Sequence, residues 1–197
     1  MVRGTRYNLP FRRRRKQKTD YKKRRALVLS RLPRMITRPS SKNITVQIVE
    51  ATTTGDRVLS SAYSKELIKK FGWQGGCGNL PTAYLTGFLA GSRSIQKGIK
   101  KAILDIGLKK ATKGSRLFAA LKGGIDAGLD IPHSETMLPE EQRIIGQHIA
   151  EYAKILSQRK EAPPSTFTRY QKDILEPEGM KDHFLHVKEK ITKEFSK

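Results

Sequence analysis

The chain has 197 residues, 37% of them hydrophobic and 29% charged, which limits it to a modest core with basic surface or tails around it. Its 40 Lys and Arg against 18 Asp and Glu give a formal net charge of +22, so copies repel one another and the expected partner is a polyanion, nucleic acid before an anionic membrane. A single cysteine, Cys77, excludes an intrachain disulfide and a cysteine-rich zinc site, and no run reaches the ~18 apolar residues of a membrane span.

The charge is unevenly placed. Residues 1 to 25 hold twelve Lys or Arg and one acid, Asp20. Residues 1 to 18 offer too little apolar surface to offset the entropy of ordering, so they are expected to lack structure of their own and to order on a partner. They also lack the apolar stretch of a secretory signal, and the chain reads as soluble and intracellular. From Asp20, a fitting N-cap, "YKKRRALVLSR" predicts a short basic helix ending before Pro33. "RMITR" (34 to 38), "NITVQIVEA" (43 to 51) and "RVLSSAY" (57 to 63) read as three strands, the second with Ile44, Val46 and Ile48 on one face. Short links make them an antiparallel meander.

"SKELIKKFG" (64 to 72) predicts a helix stopped by Gly72, followed by a glycine-rich loop, "GWQGGCGNLP". Residues 82 to 99 follow the helical period, with Ala83, Gly87, Ala90 and Gly91 small enough for close approach to a sheet. "KAILDIG" (101 to 107) predicts a strand, 115 to 128 a helix capped by Ser115, "LDI" (129 to 131) a last short strand, and 139 to 160 one long helix with Ile145, Ile149, Tyr152 and Leu156 as its apolar stripe. "EAPPS" is a linker, and a final helix carries Phe184, Val187, Ile191 and Phe195 on one side. The expected division is a basic arm (1 to 25), an α/β core (26 to 160), and a linker with a helical tail (161 to 197). The expected fold is α/β: a mixed sheet of ribonuclease H-like layout with helices packed against it.

Catalytic readings are weak. A nuclease of such a fold needs clustered carboxylates for two metal ions; Glu50, Asp105, Asp126 and Asp130 are the candidates, but the first strand supplies no acid. "GLKKATKGS" and "GGCGNL" both miss the spacing of nucleotide-binding loops. Cys77 has no histidine partner pattern, and His183 and His186, three apart, have no third metal ligand in view and read as solvated. No cofactor is implied. Lys113 and Arg116 flank a helix N-terminus, which suits either a phosphate oxygen or a plain helix cap.

The arginine-rich segment with interleaved aromatics is the informative feature. Guanidinium groups fork onto phosphates and stack on bases, and aromatic rings offer further stacking surfaces, which favours RNA over DNA. Lys69, Lys70, Arg93, Lys97, Lys100 and Lys101 add basic patches on the core. Two other classes stay open: a structure-specific RNA nuclease and a chromatin-like DNA-binding protein.

Four stretches, "RYNLPFRRRRKQKTDYKKR", "ELIKKFGWQGGCGNLPTAYLTG", "AILDIGLKKATKGSRLFAALKGGIDAGLDIPHS" and "GQHIAEYAK", together resemble the archaeal and eukaryotic form of large-subunit ribosomal protein eighteen, whose eukaryotic counterpart is large-subunit protein five. The resemblance implies a non-enzymatic constituent of the cytoplasmic ribosome. It would bind 5S rRNA and large-subunit rRNA at the central protuberance, beside neighbouring ribosomal proteins. Arm residues matching the family's RNA-binding extension are Arg3, Arg6, Tyr7, Phe11, Arg12, Arg13, Arg14, Arg15, Lys16, Lys18, Tyr21, Lys22, Lys23, Arg24 and Arg25. The glycine-rich loop adds Trp73 and Asn79, with a core role as the alternative for Trp73; Arg93, Lys113 and Arg116 complete the expected RNA-binding set.

Overall fold

The computed structural model describes residues 7–158 and 177–195. Strands β1 (Arg34–Pro39), β2 (Ile44–Ala51) and β3 (Asp56–Tyr63) form the expected antiparallel meander, and β4 (Ile103–Asp105) adds to β1 in parallel, giving the order β3-β2-β1-β4. The mixed α/β sheet read from the sequence is therefore present. Ile44, Val46 and Ile48 point into the core, as the period of two requires. A register shift between Ile48 and Val49 is a bulge, and it turns Val49 and Val58 into facing partners. The strand expected over 101 to 107 shortens to three residues, because the chain turns at Gly107 (φ +60). "LDI" supplies only one isolated bridge, between Lys101 and Asp130.

Helices α1 (Arg12–Arg15) and α2 (Tyr21–Leu29) precede the sheet; α3 (Ser64–Phe71), α4 (Leu80–Gln96) and α5 (Arg116–Asp126) pack on one of its faces. Gly72 ends α3 with a left-handed φ of +70, which a glycine adopts without penalty. Residues 81 to 91 of α4 are all buried. The two glycines of α4 serve a different neighbour from the one expected. A Cβ on Gly87 would run into the Ala120 carbonyl of α5, and one on Gly91 would sit 2.7 Å from Ala127 Cβ and 3.1 Å from the Gly124 backbone. The glycines thus set the spacing between helices. Toward the sheet, the Ala90 carbonyl accepts from Ser60 Oγ at 3.3 Å.

The long helix expected over 139 to 160 is broken. Gly146 takes φ +91 and separates α6 (Glu141–Ile145) from α7 (Gln147–Gln158). A Cβ there would lie 2.7 Å from Met180 Cγ, so the break makes room for α8 (Met180–Phe195). Tyr152, expected on the apolar stripe, is 49% exposed. The final helix docks as its pattern predicts: Phe184, Val187 and Ile191 are buried in the same core as α4, and Phe195 packs partly against it. Lys188 of α8 lies over the rings of Tyr84 and Phe88, 5.2 and 5.7 Å from their centroids. The linker at 161 to 165 lies outside the described residues. Among the described residues no helix is long and apolar enough to cross a membrane.

Candidate nucleic-acid interface

The arm is built outward from Asp20. Its carboxylate accepts the Lys22 and Lys23 backbone N–H groups at 3.0 and 3.2 Å, the N-cap expected from the sequence, and so fixes where α2 begins. Before it, α1 is a single turn within the span expected to have none. Arg13 Nε donates to Thr19 Oγ1 at 2.8 Å, and the Phe11 and Tyr21 rings meet at 5.5 Å, tilted by 41°. These two local contacts account for the turn. Arg12, Arg13, Arg14, Arg15, Lys16, Lys18, Lys22, Lys23 and Arg25 are all exposed, as are Tyr7 and Phe11, the latter at 73%. Tyr21 is half-buried. Arg3 and Arg6 lie outside the described residues.

Arg24 differs from its neighbours. Its guanidinium grips Asp56 with two bonds of 2.7 and 2.8 Å, and Asp56 also contacts Arg34 at 2.8 Å. Arg34 in turn donates to Asp105 at 2.8 Å, and Asp105 accepts the Gly107 N–H at 2.9 Å. The bidentate bond from Arg24 is the largest influence on Asp56; with help from Arg34 it outweighs burial and holds the carboxyl below its usual range. Between arm and sheet lies a cleft of about 900 Å³, its walls including Lys18 and Lys23 on one side and Arg38 and Lys109 on the other. Seven Lys or Arg line it against three Asp. Sequence reasoning missed both Asp56 and Arg34, the latter read only as a strand residue. Their pairing spans distant positions, and no local signal announces it.

The other predicted residues divide sharply. Trp73, expected to touch RNA, is 1% exposed and stands in the core, so its ring offers no stacking surface in this fold. The reason is α8: His183 stacks on Trp73 at 5.0 Å and its Nε2 accepts the Gln74 N–H at 3.0 Å. The same contacts correct the reading of His183 as solvated. Asn79 caps α4 by accepting from Thr82 N at 3.0 Å. Arg93 donates to the Ser61 carbonyl at 2.6 Å and pairs with Glu66 at 2.7 Å; burial raises the Glu66 pKa, but Arg93, the Tyr63 N–H and Lys70 together outweigh it and the net shift is downward. Arg116 donates to the carbonyls of Ser40 and Gly78 at 2.9 and 2.8 Å, pinning the glycine-rich loop to the β1–β2 turn. Gly78 must be glycine for that contact, since a Cβ would lie 2.7 Å from the Ser41 carbonyl. Lys113 is exposed, beside Lys109 and Lys110 on the β4–α5 loop. Ser115 occupies the N-cap position of α5 but its side chain makes no cap bond.

Asp105 is committed to Arg34, Asp126 accepts the Tyr84 hydroxyl at 2.7 Å, and Asp130 has a side chain 70% exposed. Among the described residues no three His, Cys, Asp or Glu are grouped to hold a metal. Cys77 is buried with Sγ toward the Ser64 carbonyl.

A mixed α/β core that presents a cationic arm, with Asp105 held in an ion pair and Asp126 in a hydrogen bond, defines a protein built to meet a polyanion. Comparison with known proteins specifies it further. The family of "Ribosomal large subunit proteins 60S L5, and 50S L18" matches residues 5–100 and 94–134. "Large ribosomal subunit protein uL18" of Caldivirga maquilingensis is 48% identical over 198 residues, covering 100% of this chain and 96% of that protein. The protein of the same name from Aeropyrum pernix is 50% identical over 192 residues, covering 97% and 90%. The chain belongs to this family: it is a structural, non-catalytic protein of the large ribosomal subunit.

Proposed function

We propose that this ribosomal protein binds 5S rRNA and helps attach it to the large-subunit rRNA at the central protuberance, where neighbouring ribosomal proteins also meet it. The observation that carries the reading is the arm: every Lys and Arg from Arg12 to Arg25 except Arg24 is exposed, and no acid stands among them but the capping Asp20. Side chains so placed are open to phosphate oxygens, and Phe11 and Tyr7 offer rings to unstacked bases. In the proposed contact set Arg3, Arg6, Arg12, Arg13, Arg14, Arg15, Lys16, Lys18, Lys22, Lys23, Arg25 and Lys113 meet phosphate. Arg93, Arg116 and Asn79 shape the surface from within, and Trp73 is left to the core.

The test is binding to 5S rRNA against an equal mass of unrelated structured RNA across a salt titration, with the full chain and with one starting at Thr19. The truncation removes eight cations, Arg3, Arg6, Arg12, Arg13, Arg14, Arg15, Lys16 and Lys18. The salt slope should fall by about 0.7 to 0.9 for each of them that meets a phosphate, while a preference for 5S rRNA survives in the core. Equal binding of both RNAs, vanishing with salt, would reduce the arm to a general polyanion tether and remove the 5S assignment.

A further inference from the structure

We propose that Asp56, held in place by Arg34, is a positioning residue for RNA binding, clasping Arg24 so that the root of the arm is docked on the sheet before RNA arrives. This rests on the RNA-binding reading above and adds to it how the arm is aimed.

Four charges alternate in a row: Arg24, Asp56, Arg34, Asp105. Arg34 is the fixed centre, with its side chain only 2% exposed. One carboxylate would compensate it, and Asp105 is the more sheltered of the two, its side chain 14% exposed against 29% for Asp56. Arg34 and its two acids together carry one surplus negative charge, and Arg24 is the cation that neutralises it. In a chain with a net charge of +22, a second carboxylate beside one buried arginine is a specific demand for a third partner.

What the clasp fixes is orientation. Side chains on a helix are set about 100° apart, so holding Arg24 determines where Lys22, Lys23 and Arg25 face. All three are exposed. The Asp20 cap fixes the start of α2, and the Phe11–Tyr21 contact passes that placement on to the arginine turn. An arm rooted this way loses less freedom on binding than a loose one, which favours affinity without any added contact.

Electrostatics and the clasp predict opposite signs for Asp56→Asn. Removing a carboxylate makes the chain more positive, which alone strengthens attraction to RNA. Loss of the clasp weakens binding. Asp130→Asn makes the same charge change at an exposed side chain outside the row and serves as the reference. Amide exchange over residues 21–29 would be measured in the RNA-free full chain, and 5S rRNA affinity at about 0.15 M salt. The expected result is on the order of tenfold loss of α2 protection and of affinity for Asp56→Asn, with Asp130→Asn unchanged or tighter. Arg24→Gln leaves Arg34 with both acids and should deprotect α2 equally, which covers the case in which Asp56→Asn folds poorly. Unprotected α2 in the unaltered chain, retained protection in Arg24→Gln, or RNA binding by folded Asp56→Asn as tight as by Asp130→Asn would overturn the proposal. If the unaltered chain shows no preference for 5S rRNA, the functional reading fails on its own, and α2 exchange still decides the clasp.

Discussion

Lowering the pH should loosen the C-terminal helix from the glycine-rich loop through one side chain, His183. Its Nε2 accepts the Gln74 N–H at 3.0 Å while its ring stacks on Trp73 at 28° between planes. A protonated Nε2 has no lone pair to accept with. Burial, and after it the positive charges of His186 and Lys190, hold the His183 pKa below its ordinary value. The folded chain therefore binds fewer protons here than the unfolded chain does. The stabilisation is complete above the ordinary histidine value near pH 6.5 and declines below it, at no more than about 1.4 kcal/mol per pH unit, levelling off once the depressed folded value is passed. His148 is lowered too, by burial and then by Arg143, so a global melt would sum both groups and the assay must be local. Trp73 is the one tryptophan in the chain and reports on its own surroundings. Its emission and the amide exchange of residues 180–195 should change together between about pH 7.5 and about pH 5, and His183→Gln should flatten both curves. A flat response in the unaltered chain, or an identical curve in His183→Gln, refutes the reasoning.

Three further outcomes follow from contacts already described. Gly87→Ala drives a methyl into the Ala120 carbonyl, and since backbone cannot swing aside, the α4–α5 packing should lose on the order of 3 kcal/mol by urea denaturation. Arg116→Ala strips the Ser40 and Gly78 carbonyls of a charged donor; exchange across residues 73–79 should rise, with roughly 1–2 kcal/mol lost in thermal unfolding. Trp73→Phe leaves a gap in the core and should cost about 2 kcal/mol, yet the folded variant should bind 5S rRNA as the parent does. A loss of RNA affinity in fully folded Trp73→Phe would return that ring to the interface.

The strands were legible because their signals are local. Ile44, Val46 and Ile48 alternate cleanly, and a two-residue period needs no knowledge of what lies opposite. Helix α8 was legible for the same reason, with Phe184, Val187 and Ile191 on one side. Several of the misreadings involve a partner far away in the chain. Gly146 sits in a helical pattern that local propensity would continue, and only the arrival of Met180 explains why the chain breaks there. Gly87 reads in sequence as a point of close approach to the sheet, but whether sheet or helix approaches depends on where α5 lies. Trp73 and His183 each look like surface chemistry until α8 brings one ring onto the other.

The interface shows the same division in electrostatic terms. Composition reveals that cations exceed acids, but pairing decides which cations remain for RNA. Arg24 and Arg93 look no different in sequence from Arg13 or Arg25, yet the first two are neutralised by Asp56 and Glu66. The stretch from Arg12 to Lys18 escapes that fate because it carries no acid and projects from the core, so its exposed charge could be read from sequence alone. Where acids and cations are interleaved, as around the sheet, charge becomes structure: it docks α2, caps helices and pins loops. The arm's cations and the core's ion pairs are thus two uses of one excess, and Arg24, half-buried at the junction, is the residue where the two uses meet.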